Sequence, residues 1–308
     1  MLKSLYSGVS GMKSLQTKMD VVSNNIANVN TTGFKAGRVR FQDIMSQTEA
    51  NAQGPNDFGL GGTNARQVGL GVKVGAIDTM TGVGAPQPTG RPLDFALDAG
   101  GYFILDSGNG DTKFYSRDGA FTLDNEGNLV SSSGFKVMSR GVSFLDENGQ
   151  VDGQKLIKYD KDFTNDQLQP TDDLKTVKIP TELKGETGDT VNLVSYSIDS
   201  TGLITGKYSD DNTYVLGQIQ TATFANPDGL EKTGGNNYVV SGNSGEPTVG
   251  APGSNGSGKM VQGALEGSNV DLANEFTEMI IASRAYQANS RSISTSDEML
   301  QELINLKR

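Results

Sequence analysis

Four patterns in the chain have residue types and spacing that could do chemistry. Gly253, Gly258 and Lys259 spell GxxxxGK, the skeleton of a phosphate-cradling loop. The Mg²⁺-binding hydroxyl that should come after the lysine is replaced by Met260, no apolar strand leads in, and Gly263 and Gly267 interrupt the stretch where a helix should run. "GLGVKVG" at Gly69–Gly75 approximates a dinucleotide loop, with one residue too many and no helix pattern after it. Asp106, Asn109 and Asp111, and likewise Asp160, Asp162 and Asn165, place oxygen ligands at calcium-like spacing, but neither set has the twelve-residue loop closing on glutamate. Solvated turns account for both sets.

Composition narrows the chemistry further. The 308 residues contain no histidine and no cysteine, which removes the commonest general base and transition-metal ligand, thiolate catalysis and disulfides. The net charge of −10 and the lack of a basic stripe disfavour nucleic acid or an anionic membrane as partner. No run of 18 apolar residues spans a bilayer, and "MLKSLYSGVSGMKSLQ" lacks the apolar region and cleavage site of a Sec-type signal. With 40 glycines and 35% hydrophobic residues, the composition suits a turn-rich β protein. No catalytic residue, cofactor or metal is expected.

The elements that would position any site lie at the two ends and in the middle. Leu5, Met12, Met19 and Ile26 recur every seven residues, with Val9 and Val22 beside them, so an amphipathic helix is expected over about residues 3–28. The companion seam line would be Leu2, Val9, Gln16 and Ser23. The other end repeats the design: "SNVD" reads as a capping box with Ser268 as N-cap, opening a helix to about Asn305. Leu272, Met279, Tyr286, Ile293 and Leu300 form one line, with Phe276, Ser283, Ser290, Asp297 and Ile304 as its companion and Leu303 also on the seam. Residues 1–30 carry a net +2 and residues 268–308 a net −2. Pairing of the ends as an antiparallel coiled coil, completed by neighbouring subunits, is the expected outcome.

Between the ends, period-two patterns and Asp-Gly turns indicate a central antiparallel β domain, sandwich or barrel-like. The fold class is therefore mainly β with α-helical termini. The expected division is 1–30 and 268–308 as the helical domain, 31–75 as linker, 76–140 and 212–262 as the central β domain, and 141–211 as a possible inserted β lobe. Ser241 to Lys259, nearly all small and polar, reads as a flexible exposed loop.

"VVSNNIANVNTTGFK" and "LEGSNVDLANEFTEMIIASRAYQANSRSISTSDEMLQEL" resemble the N- and C-terminal signatures of the flagellar rod and hook proteins. "GRPLDFALDAGGYFIL" and "FYSRDGAFTLDNEGNLV" resemble that family's central β domain, and Ser283 departs from the glutamine often found there. The resemblance implies a self-assembling, non-enzymatic subunit of the bacterial flagellum, exported by the flagellar type III route without a cleaved signal. Its termini would form the inner tube of a helical homopolymer. Within the family the "LEGSNVDLANEFTEMI" wording points to a hook subunit that transmits torque through a flexible joint. The partners this implies are the distal rod protein, the hook cap and the hook–filament junction proteins. A distal rod subunit is the alternative, and a secreted β-domain enzyme or glycan-binding module the reading from another class. Asn24, Asn25, Asn28, Thr31, Thr32, Gly33 and Phe34 are read as a hinge between the first helix and the linker, with amides bonding the backbone groups a helix end leaves unpaired.

Overall fold

The computed structural model describes residues 2–54, 61–108, 112–141, 159, 174–184 and 190–306. Asn109, Asp111, Asp160, Asp162 and Asn165, and most of the expected lobe, lie outside the described residues. The described chain is mainly β, with a helix near each end and no closed barrel among its strands. It divides into two compact units: residues 1–29, 36–80 and 270–308, and residues 30–35 with 81–269.

In the first unit, helix α1 (Leu2–Ala27) is followed by strands β1 (Gly37–Asp43), β2 (Ser46–Ala50), β3 (Arg66–Gly69) and β4 (Val72–Thr79). β1 pairs antiparallel with β4, and β2 with β3. The segment expected as a linker thus holds paired strands. The glycine pattern at Gly69–Gly75 falls where β3 ends and β4 runs, so no helix N-terminus exists there to hold a phosphate.

The second unit contains β5 (Pro86–Pro88), β6 (Phe95–Leu97), β7 (Tyr102–Asp106), β8 (Lys113–Ser116), β9 (Phe121–Leu123), β10 (Leu129–Ser131) and β11 (Lys136–Gly141). After the undescribed stretch come β12 (Leu174–Thr176), β13 (Glu182–Lys184), β14 (Thr190–Ile198), β15 (Leu203–Tyr208), β16 (Thr213–Ile219) and β17 (Thr221–Thr223). The unit closes with β18 (Glu231–Gly234), β19 (Asn237–Val239), β20 (Thr248–Gly250), β21 (Met260–Gln262) and β22 (Ala264–Glu266), and α2 (Leu272–Leu306) returns to the first unit. Fourteen of these strands join one antiparallel network that runs β13-β14-β15-β16-β11-β7-β8-β19-β18, so β12 to β15 belong to the same sheet as β7.

β7 explains why that network has a core on both sides. Phe103 and Leu105 point into one buried cluster with Phe95, Phe121, Leu129, Val137 and Ile219. Tyr102 and Ile104 point into the other with Tyr115, Met138 and Tyr238. A strand covered on both faces must be apolar throughout, hence "YFIL" without alternation. The turns obey their residues. Gly127 (φ +80°) closes the β9–β10 hairpin, where the Asp124 carboxylate accepts from the Glu126 and Asn128 amides at 2.9 and 2.7 Å.

The loop expected to be flexible, Ser241 to Lys259, is instead built: it contains β20, and Ser244 and Ser257 are buried. Ser241, Ser244 and Ser254 each direct a hydroxyl onto a backbone carbonyl. Gly253 N–H closes on Gly258 C=O at 3.0 Å, and the strand β21 comes next. The GxxxxGK pattern is therefore a self-satisfied turn before a strand. Short polar side chains made the loop look disordered, yet these are the residues that supply local backbone bonds.

Candidate assembly site

The first unit brings the two helices together. A Cβ on Gly8 would meet Ile293 at 3.0 Å, and one on Gly11 would meet the Asn289 amide at 2.8 Å. Further along, the Lys18 ammonium pairs with Glu278, and the Asn25 amide donates to Glu275 at 3.2 Å. Rising numbers on α1 meet falling numbers on α2, so the contacts run antiparallel. Each glycine inside a helix costs about 1 kcal/mol relative to alanine. Here the missing side chain lets the facing residue approach closely.

The seam differs from the expected one in its companion lines. Leu5, Met12, Met19 and Ile26 are half-buried and Val22 is buried, while Val9 is exposed. The other buried α1 positions are Gly8, Gly11, Ser14 and Asn25. On α2, Met279, Ile293 and Leu300 are half-buried, and the buried positions are Ala282 and Ser296. Glu275, Ala282, Asn289 and Ser296 thus form the companion line, one residue before the line Phe276, Ser283, Ser290, Asp297. Leu272, Phe276 and Tyr286 are exposed; nothing is described of the Leu303 side chain. The helix also starts later than its capping box suggested. Asp271 is the cap, its Oδ1 accepting from Ala273 N–H at 2.9 Å and Asn274 N–H at 3.3 Å.

The asparagine-rich stretch does two separate jobs. Asn28 Nδ2 donates to the Asn24 carbonyl at 2.9 Å, beside the backbone N–H of Asn28 that the same carbonyl accepts at 3.2 Å, and so reinforces the last turn of α1. Asn25 is buried and grips Gly37 twice: Nδ2 donates to Gly37 C=O, and Gly37 N–H donates to Oδ1, both at 2.9 Å. That amide copies a ladder pair and ties α1 to β1.

Asn30–Lys35 belongs to the second unit. Thr31 C=O accepts from Phe34 N–H at 3.4 Å. Thr32 donates its hydroxyl to Asp118 at 3.0 Å, and its carbonyl accepts from Asn236 at 2.8 Å. Gly33 (φ +67°) donates N–H to Glu266 C=O at 2.8 Å. Phe34 lies under Lys232, the ammonium 5.1 Å from the ring centroid. Lys35 then enters the interior, where Nζ reaches Glu266 Oε1 at 2.5 Å and Gly82 C=O at 2.8 Å. Glu266 Oε1 also accepts from Gly84 N–H at 2.8 Å, and Oε2 lies 3.2 Å from Arg117 Nη1. Lys35, Glu266 and Arg117 are 0, 1 and 2% exposed. Burial pulls the Lys35 ammonium below its usual range, Glu266 counters this, and Arg117 adds to the lowering.

The hinge reading omitted these three charges, although each sits in one of the quoted signatures: Lys35 in "TTGFK", Arg117 in "FYSRDG" and Glu266 in "LEGSNVD". Three family models match the same three regions. Residues 5–35 match the flagella basal body rod protein, 96–206 the flagellar hook protein FlgE/F/G D1 domain, and 261–306 the flagellar basal body rod FlgEFG protein C-terminal. The chain is 46% identical over 309 residues to the flagellar basal-body rod protein FlgG of Bacillus subtilis (strain 168), covering 100% of both. It is 33% identical over 309 residues to FlgG of Borreliella burgdorferi, and 32% identical over an alignment of 444 residues to that organism's flagellar hook protein FlgE, with 100% of each chain covered in both cases. The chain belongs to the flagellar rod/hook family.

Rod/hook proteins polymerise in the flagellar axial structure, which makes the exposed apolar residues of the first unit the relevant ones. On α2, Phe276 and Ile280 are 49 and 62% exposed, one helical turn apart, with Leu272 one turn before them. The hook expectation fares less well than its alternative. The wording that suggested it, within residues 265–280, lies inside the C-terminal region common to the FlgE, FlgF and FlgG proteins, so it separates none of them.

The second unit has a pH consequence. Burial raises the Tyr102 phenol from 10.0 to about 12 and pushes Tyr238 and Tyr208 up as well. A raised folded pKa gives stability that is complete below pH 10.0 and lost as pH climbs from there towards about 12. Lys35 has the opposite sign: stability recovers as pH rises through its lowered value towards 10.5. The tyrosine share of any alkaline loss should therefore begin near pH 10.0. Tyr102→Phe removes up to about 3 kcal/mol of that alkaline loss. Circular dichroism across an alkaline titration should show its midpoint move upward; an unchanged midpoint contradicts the assignment.

Proposed function

We propose that the chain is a structural subunit of the flagellar distal rod, the rigid shaft beneath the hook. The observation carrying this reading is length agreement. The 308 residues align over 309 positions with the rod proteins, but over 444 and 466 with the hook proteins of Borreliella burgdorferi and Treponema pallidum. The higher identity to a rod protein supports it as well.

Mechanically, α1 and α2 act as an antiparallel coiled coil whose small-residue seam leaves larger apolar side chains free for neighbouring copies. A heterologous contact of this kind repeats into a helical tube. The second unit serves as the outer body. Export proceeds through the flagellar type III route with the ends unfolded, and assembly orders them. The chain has no catalytic role and needs no cofactor; its main partner is a second copy of itself. The hook cap and junction proteins belong to the hook reading and lapse with it. Electron microscopy of basal bodies from a deletion strain tests the assignment. A shaft that stops short, without distal rod or hook, is expected; a complete rod lacking only the hook would restore the hook reading.

A further inference from the structure

The two helices of the first unit differ in length. α1 has 26 residues and α2 has 35. Their antiparallel register sets Gly8 against Ile293 and Gly11 against Asn289. Carried back to Leu2 at the same pitch, it reaches about position 299 on α2. The last two turns of α2, residues 300–306, therefore run past the start of α1 by about 10 Å. The apolar pattern does not stop where α1 does. Ile293 and Leu300, seven residues apart, are half-buried, but Ile304 and Leu306 beyond them are 68 and 83% exposed. Among the described residues nothing covers this tip. At the base of α2, Leu272, Phe276 and Ile280 recur every four residues and so share one face, about 12 Å long, and all three are exposed.

We propose that the overhanging tip of α2 is a peg that lies on the Leu272, Phe276 and Ile280 face of a second copy of this chain. Three observations select that occupant. Tip and base sit at opposite ends of one helix, so their contact joins unlike surfaces and repeats without closing. Two tips meeting each other would instead close a two-fold pair, which does not suit a chain whose family polymerises in the flagellar axial structure. The lengths also match, about 10 Å of bare tip against about 12 Å of bare base. Charge agrees with both. Residues 271–280 hold three acids and no base, and residues 299–308 hold two bases and one acid. Lys18 answers one of the three acids, Glu278, and the base remains net negative even so. Laying Ile304 and Leu306 on Phe276 and Ile280 takes four apolar side chains out of water at each contact. The inference rests on the helix pair being the polymerising part of the chain, and it is the same for a rod or a hook.

The test uses two full-length variants, each blocked at one surface. Ile304→Glu with Leu306→Glu blocks the tip, and Phe276→Glu with Ile280→Glu blocks the base. All four side chains are exposed in the monomer, so the circular dichroism of each variant should match that of the unmodified chain. Each variant alone, held well above the wild-type critical concentration, should lose sedimenting polymer. Mixed, the two supply one intact tip and one intact base. They should form a complex of one chain of each kind and grow no further. Analytical ultracentrifugation reads both results. Polymer from either variant alone overturns the proposal, and so does a mixture that stays monomeric or a base variant that pairs with itself through its tips. Polymer from both variants at the wild-type critical concentration goes further, because the helix pair is then not the assembling part and the reading beneath the proposal fails with it.

Discussion

Gly33→Val should release the signature segment from the β unit and abolish polymerisation. Two independent penalties act at this position. The φ of +67° is one that a β-branched residue adopts only under strain. A Cβ there would also sit 2.8 Å from Asp118 N and 2.9 Å from Arg117 C, both backbone atoms with nowhere to move. Roughly 1–2 kcal/mol for the conformation and about 1–3 kcal/mol for the overlap make a loss near 3 kcal/mol the expected size. Thermal unfolding of the monomer reads it directly. Gly33→Asn separates the causes, since asparagine tolerates left-handed φ but still brings a Cβ. A loss as large as that of valine assigns the effect to the overlap, and wild-type behaviour in both variants refutes the docked segment. A hinge would act between helix and linker. Gly33 acts inside the β unit, against Arg117, Asp118 and Glu266.

The second large effect is an order. Glu266→Leu strips both buried cations of the carboxylate they share and should cost about 3–5 kcal/mol. Lys35→Met leaves Glu266 with the Gly84 amide and Arg117, removes an ammonium that burial already disfavours, and should cost about 1 kcal/mol or less. Urea unfolding of the two variants checks this, and Lys35→Met proving as harmful as Glu266→Leu would contradict the geometry described for the cluster.

How much of this was legible from one sequence depends on the kind of residue involved. The line Leu5, Met12, Met19, Ile26 was readable because large apolar side chains at heptad spacing announce a helix face. The companion line was missed for the same reason. Gly8 and Gly11 make the close approach, Ser14, Ala282 and Ser296 are the other small residues buried on the helices, and small residues leave no hydropathy signal. Phe276, one position along, carries the stronger apolar signal although it is exposed. The turn at Gly127 was legible from its residue types, whereas β7, covered on both faces, breaks the period-two alternation on which the β expectation rested. Lys35, Arg117 and Glu266 were not legible, because 82 and 149 residues separate successive members. Only the fold brings them together, and charged residues in a sequence read by default as solvated. Their place inside three signature stretches was the available clue.

Apolar residues left bare by the α1–α2 pairing should be covered by other copies of the chain. Phe276 and Ile280 are exposed in the monomer, so Phe276→Glu with Ile280→Glu changes the surface and not the packing. Sedimentation of this double variant against the unmodified chain is the most direct measurement. A folded monomer with an unshifted thermal midpoint that no longer forms sedimenting polymer is expected. Polymer at the wild-type critical concentration would contradict it.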